Sequence, residues 1–173
     1  NELYAEVYKK TYNFNSIGLR YFNVFGPRQS PEGAYSAVIP RWVSSVILDK
    51  EINIFGDGET SRDFCYIENV VQANILAATS ANKEAINQIY NVAMNDSTSL
   101  NSLFKIIIQN LKALHIDYSL EPKYSDFRKG DVRHSMADIN KAKDLLGYSP
   151  EFSLKEGIKK AMPWYVNFLQ NSL

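Results

Sequence analysis

Twice within residues 1–93 the chain changes hydrophobic period from helical to strand-like, and this limits it to an α/β arrangement. Leu3/Val7 and Tyr4/Tyr8/Tyr12 recur at helical spacing and put two apolar rows on a helix already under way at Asn1. Asn13 and Asn15 break that pattern, and Ser16 to Phe22 is rich in strand formers. The same order returns later. Ile67 to Ser80 is a helix whose Val70, Val71, Ala73, Asn74, Leu76 and Ala77 predict a broad buried face, and Gln88 to Ala93 follows as a strand.

Between these units the pattern is less regular. Gly26, Pro27, Pro31 and Gly33 mark a loop over Asn23–Tyr35, and Ala37 to Leu48 reads as a helix with Pro40 in its first turn. Ile52 to Phe55 is a short strand stopped by Gly56-Asp57-Gly58, and Arg62 to Tyr66 a second one. Thr98 or Ser99 can cap a helix carried by Leu103, Ile106, Ile107 and Leu111. A strand is expected over Ile116–Leu120, then an irregular stretch to Arg133. The tail predicts a helix over 139–146 ended by Gly147, and another over 154–169 opened by a Ser153/Glu156 capping box.

Composition narrows the partners. Nineteen basic residues balance nineteen acidic ones, so no global field recruits nucleic acid or an anionic membrane. No apolar run reaches the ~20 residues of a membrane helix, and no signal-peptide pattern is present. The single cysteine, Cys65, between Phe64 and Tyr66, suits a buried strand thiol, which agrees with a reducing, cytoplasmic setting. The chain starts at Asn1, inside a helix, and the expectation is that an N-terminal part precedes it.

Dinucleotide sites use Gly-x-Gly-x-x-Gly or a close variant, because only glycine lets the backbone close on a pyrophosphate; no such spacing occurs in this sequence. Gly56-Asp57-Gly58 reads as a turn. His115 and His134 lack the spacing of zinc ligands, so no metal is expected. What remains is a set of arginines at turns and strand ends: Arg20, Arg28, Arg62, Arg128 and Arg133. Arginine suits a diphosphate because its fork donates paired hydrogen bonds.

Four segments in order then resemble one family. Leu19 to Pro27 is similar to the Arg-x-x-Asn-x-x-Gly-Pro strand end of extended short-chain dehydrogenases that act on nucleotide sugars. Ala37-Val38-Ile39-Pro40 with Ile54 to Phe64 resembles their substrate-loop helix and Phe-Gly-Asp-Gly…Arg-Asp-Phe turn. Arg128-Lys129-Gly130-Asp131 resembles the Arg-x-Gly-Asp of their C-terminal lobe. Ala137-Asp138, Lys141-Ala142, Leu145 to Tyr148 and Pro150 resemble the ending that follows. Gly56 to Tyr66 and Met162 to Tyr165 most resemble the UDP-N-acetylglucosamine 4-epimerases of bacterial surface-polysaccharide pathways.

The resemblance implies the C-terminal part of a Rossmann-type extended short-chain dehydrogenase with a small mixed α/β substrate-binding lobe. Residues 1–22 and 66–93 would belong to the NAD-binding domain, and 23–65 and 94–173 to the UDP-sugar lobe. It also implies a 4-epimerase that works with NAD through a 4-keto sugar. The alternatives are a nucleotide-sugar 4,6-dehydratase or decarboxylase and, in another class, a non-catalytic nucleotide-sugar binding protein.

No catalytic residue is expected in this chain. The family's Tyr-x-x-x-Lys lies just before the segment matching Asn1–Tyr12, and neither Tyr4 nor Tyr8 has the lysine; both are expected to pack. Substrate-side roles map onto Asn23, Arg62 and Arg128 for the diphosphate, Asp131 for ribose, and Val38, Asn53 and Phe55 for uracil. Ser135 would leave room for an N-acetyl group at C2 of the sugar. Tyr21 and Phe22 would lie near the nicotinamide. Ala37 departs from the polar residue of some relatives. The resemblance further implies a homodimer through the Asn1–Tyr12 helix, the missing N-terminal half as a partner, and an isolated chain that is inactive.

Overall fold

The computed structural model describes residues 1–32 and 37–171; residues 33–35 of the loop expected over Asn23–Tyr35 lie outside the described residues. In order, the elements are α1 (Glu2–Tyr12), β1 (Ile17–Tyr21), β2 (Val24–Phe25), α2 (Val38–Ile47), β3 (Asn53–Phe55), β4 (Ser61–Arg62) and β5 (Cys65–Tyr66). They continue as α3 (Ile67–Thr79), β6 (Gln88–Val92), β7 (Thr98–Ser99), α4 (Leu100–Lys112), β8 (Lys123–Ser125), α5 (Asn140–Leu146) and α6 (Leu154–Gln170). The fold is mixed α/β. β1 pairs in parallel with β6, β2 with β5, and β3 with β8, while β4 runs antiparallel to β7.

Two apolar clusters organise these elements. In the first, α2, α4 and α6 pack together through Trp42, Val43, Leu103, Ile107, Ile158 and Tyr165. The second lies beside β6, where Cys65, Val70, Tyr90, Val92 and Tyr148 are buried and α5 and α3 cover the strand. Three helix ends are closed by local chemistry. Ser99 accepts from the Ser102 amide, Ser153 and Glu156 form the capping box, and Gly147 takes the left-handed conformation that ends α5. Two buried polar groups tie the clusters to the strand ends. The Tyr165 hydroxyl donates to the Gly26 carbonyl at 2.7 Å, and Asn69 accepts from the Glu151 and Phe152 amides at 2.9 and 3.0 Å.

Several expectations need correction. Ile116–Leu120 forms no strand: Ile116 returns its amide to Leu111 at 3.1 Å, and its side chain and Tyr118 pack on the first cluster. The ladder begins only where the chain meets β3, at Lys123. The expected strand Arg62–Tyr66 is two short strands with different partners, because Asp63 turns inward between them. The 23–35 loop contains β2. On α3 the buried stripe is narrower than expected, with Val71 49% and Ile75 57% exposed. Nor do Tyr4 and Tyr8 pack into a core. No residue of α1 is buried, and Leu3 and Tyr4 are 79% and 72% exposed. Tyr8 instead packs on its neighbours Tyr12 and Phe14, with ring centres 5.3 and 6.5 Å apart.

Candidate functional site

Strand alternation explains how one face of β3 becomes a wall. Ile52 and Ile54 point into the first cluster and are almost fully buried, so the period of two sends Asn53 and Phe55 the other way. β8 runs parallel to β3, so the chain leaves both strands at the same end. The turn after β3 and the loop after β8 are therefore neighbours, and the Gly56 amide donates to the Ser125 carbonyl at 2.7 Å. Gly56 has φ +81°, and a Cβ there would stand 2.3 Å from the Phe127 ring, so only glycine admits both the turn and the ring. A cleft of about 300 Å³ opens against this wall, between β3, the start of α2 and the loop at 128–131.

Charge reaches the cleft from three segments: Arg41 on α2, Arg62 after the β3 turn, and the loop at 128–131. Asp131 donates its amide to the Arg128 carbonyl at 3.2 Å across a turn in which Gly130 has φ +82°. A β-turn that needs a left-handed third residue takes glycine there, and it brings Arg128 and Asp131 out side by side. The Arg128 guanidinium sits over the Phe55 ring, 3.9 Å from its centre. Arg62 is half-buried and is oriented at three points: it donates to the Ser61 carbonyl at 2.8 Å, to the Arg133 carbonyl at 3.4 Å, and to the Asp131 carboxylate. The cleft thus holds two oriented guanidinium groups beside one carboxylate, an arrangement suited to an anion with two phosphate groups and a neighbouring hydroxyl.

Asn23 sits at the junction of β1 and β2 with φ +36°, a left-handed conformation that asparagine tolerates better than most residues. Its side-chain amide donates to the Asp63 carbonyl at 2.8 Å, which leaves one of its two N–H groups for another acceptor. Asp63 itself is fully buried. Its carboxylate accepts from the Met94 amide at 2.9 Å and the Ala137 amide at 3.3 Å, and its pKa is raised because burial outweighs these bonds. Asp63 therefore ties the segment directly behind Arg62 to Met94 and Ala137. The neighbouring Cys65 is an inert group: burial pushes its thiol up to about 11.

Asn23, Val38, Asn53, Phe55, Arg62, Arg128 and Asp131 all line this one cleft. Val38 opens α2, where the N-cap Ala37 has no side chain able to accept from the first amides. Ser135 lies off the cleft lining, with its amide on the Ser61 carbonyl at 3.1 Å. Tyr21 and Phe22 are also off it. The Tyr21 hydroxyl donates to Asn74 at 3.0 Å, and Phe22 packs on the second cluster. The sequence has no glycine-rich turn of the kind that closes on a pyrophosphate, so this stretch of chain does not supply that part of a dinucleotide site.

The sequence reading missed Arg41, Trp42 and Thr60, which also line the cleft. Arg41 was within reach, since it follows Val38 by three residues on α2 and so shares its face.

A sequence model described as the NAD dependent epimerase/dehydratase family matches residues 1–93. Over 166 residues the chain is 37% identical to a putative UDP-glucose 4-epimerase of Methanocaldococcus jannaschii, covering 96% of this chain and 50% of that protein. The crystal structure of UDP-glucose 4-epimerase with UDP-glucose from Thermotoga maritima superposes with a TM-score of 0.87 at 37% identity, covering 97% of this chain and 51% of the other. A UDP-N-acetylglucosamine 4-epimerase from Methanobrevibacter ruminantium, in complex with UDP-N-acetylmuramic acid, gives 0.84 at 39% identity, covering 96% and 51%. The chain spans about half the length of the relatives it matches.

Proposed function

The chain belongs to the NAD dependent epimerase/dehydratase family, and from that premise we propose that it is the nucleotide-sugar-binding part of a UDP-sugar 4-epimerase. One observation carries the reading. Seven residues drawn from five separate segments, each expected from the sequence to touch a UDP-sugar, line a single cleft whose free groups suit that ligand. Arg62 and Arg128 neutralise the diphosphate, with Asn23 donating from the strand end. Asp131 accepts from ribose hydroxyls. The first amides of α2 at Val38, together with Asn53 and Phe55, hold the uracil. Residues 23–65 and 94–173 form the substrate lobe in this reading, and 1–22 and 66–93 complete the NAD-binding domain of the whole protein. NAD is then the oxidant of the whole protein, and this chain's share of the work is to hold the UDP moiety. The exposed apolar rows of α1 support a further contact there with a second copy.

The test is calorimetric titration of UDP. Arg62→Ala and Arg128→Ala should each weaken binding by about 1.5–3 kcal/mol, the scale of a hydrogen bond to a charged group. Normal UDP binding by both variants would make the arginines structural and refute the cleft assignment.

A preference for UDP-N-acetylglucosamine would turn on Ser135, which lies off the cleft lined by this chain and, by the family resemblance, would border C2 of the sugar only in the whole protein. Ser135→Tyr should lower kcat/KM for UDP-N-acetylglucosamine in the whole protein while keeping that for UDP-glucose, since a close-packed wall yields poorly to added atoms. An unchanged ratio of the two would remove Ser135 from the sugar pocket.

A further inference from the structure

After β8 ends at Ser125, residues 126–133 have no regular secondary structure, yet this loop carries Arg128 and Asp131 into the cleft. Its shape depends on how it is fastened. Beyond its own turn, its far end is held where the Arg133 carbonyl accepts from the Ser61 amide at 2.9 Å. Its outer side is held by a side-chain cluster. Arg133 donates to the Asp57 carboxylate at 2.6 Å, and its guanidinium lies 5.1 Å from the centre of the Phe127 ring, which in turn packs on Gly56. The second oxygen of Asp57 accepts from the Glu59 amide at 3.0 Å, so the turn presents the carboxylate in a fixed direction. The Arg133 hydrogen bond and then the Glu59 amide hold the Asp57 carboxyl below its usual pKa, so the pair is charged at neutral pH.

Neither Asp57 nor Arg133 lines the cleft, and each side chain is about half exposed, at 50% and 45%. An exposed ion pair of this kind adds little to global stability. Its position gives it another use. We propose that Asp57 and Arg133 are positioning residues that lock the 126–133 loop to the turn after β3 and thereby aim Arg128 and Asp131 at a nucleoside diphosphate. The inference rests on the UDP-binding reading of the cleft. Arg128 reaches its place over Phe55 only while the loop and the turn keep their separation, and the Asp57–Arg133 bond spans that separation.

The experiment is the UDP dissociation constant by calorimetry on the whole protein, paired with melting temperature, for wild type, Arg62→Ala, Asp57→Asn, Arg133→Ala and the reversal Asp57→Arg/Arg133→Asp. Asp57→Asn keeps the acceptor for the Glu59 amide and removes only the charge. Both single variants at the pair should raise the dissociation constant about tenfold, as misplacement of a binding group does, with melting temperature within about 2 °C of wild type. The reversal re-forms the ion pair but not the bond from the Glu59 amide, so it should bind UDP more tightly than Arg133→Ala without reaching wild type. Wild-type affinity in both single variants overturns the inference, as does a loss that follows a fall in melting temperature or that the reversal fails to lessen. If Arg62→Ala and Arg128→Ala, measured alongside, both bind UDP normally, the cleft reading itself has failed, and the positioning role falls with it.

Discussion

The cleft wall from Asn53 to Arg62 and the helix α1 handle similar mixtures of aromatic and charged residues in opposite ways. In the wall every apolar side chain that turns inward is covered, and Asp57 and Arg62 each have a charged partner. In α1 three of the four charged residues have charged partners too, Glu6 with Lys10 and Glu2 with Arg20, but the apolar rows face outward. The difference shows which part of the chain completes its own packing. The cleft is closed by contacts within the chain, whereas α1 is tied to the rest chiefly through its polar side, by the fork of Arg20 on Glu2 at 2.6 Å.

The largest expected effect attacks the covered side. Asp63→Ala should destabilise the chain by about 2–4 kcal/mol, since it leaves the Met94 and Ala137 amides without an acceptor. Urea denaturation measures it, and a loss under about 1 kcal/mol would show that the fold does not depend on this carboxylate.

A smaller effect is the pH dependence from the same group. Burial raises the folded pKa of Asp63 above its unfolded value, so the folded chain holds this proton more tightly. The resulting stability is present below about pH 4, the unfolded value, and is lost as pH rises through the raised folded pKa. The stability of wild type relative to Asp63→Asn should therefore fall across that window. A difference that is flat with pH would show that the amide bonds cancel the burial.

The smallest effect belongs to α1. Tyr4→Gln and Tyr12→Gln should each change the stability of the chain by no more than about 0.5 kcal/mol, because both rings are at least 70% exposed. A large loss would place these rings in a packed interface and erase the contrast with the cleft wall.

Much of this was legible in the sequence where pattern and chemistry agree locally. The α1 and α3 periods, the Ser153/Glu156 box and the Gly147 stop each depend on neighbours within a turn or two, and each is found in the structure. Burial was less legible. The tyrosines of α1 have a helical spacing, but spacing does not say what lies opposite. The division of Arg62–Tyr66 was hidden for a similar reason, since the partners of Asp63 are amides at Met94 and Ala137, thirty or more residues away. The members of the cleft were found by resemblance rather than by periodicity. Of the residues that escaped, Arg41 was recoverable from helical geometry, while Thr60 follows the expected Gly56–Gly58 turn and the turn alone does not say which way its side chain faces.

A crystal structure of the whole protein with UDP tests the central claim most directly. The predicted result is a diphosphate within about 3 Å of both the Arg62 and Arg128 guanidinium groups, with the uracil between the start of α2 and β3. UDP bound outside this cleft, or inside it with neither arginine on a phosphate oxygen, would contradict it.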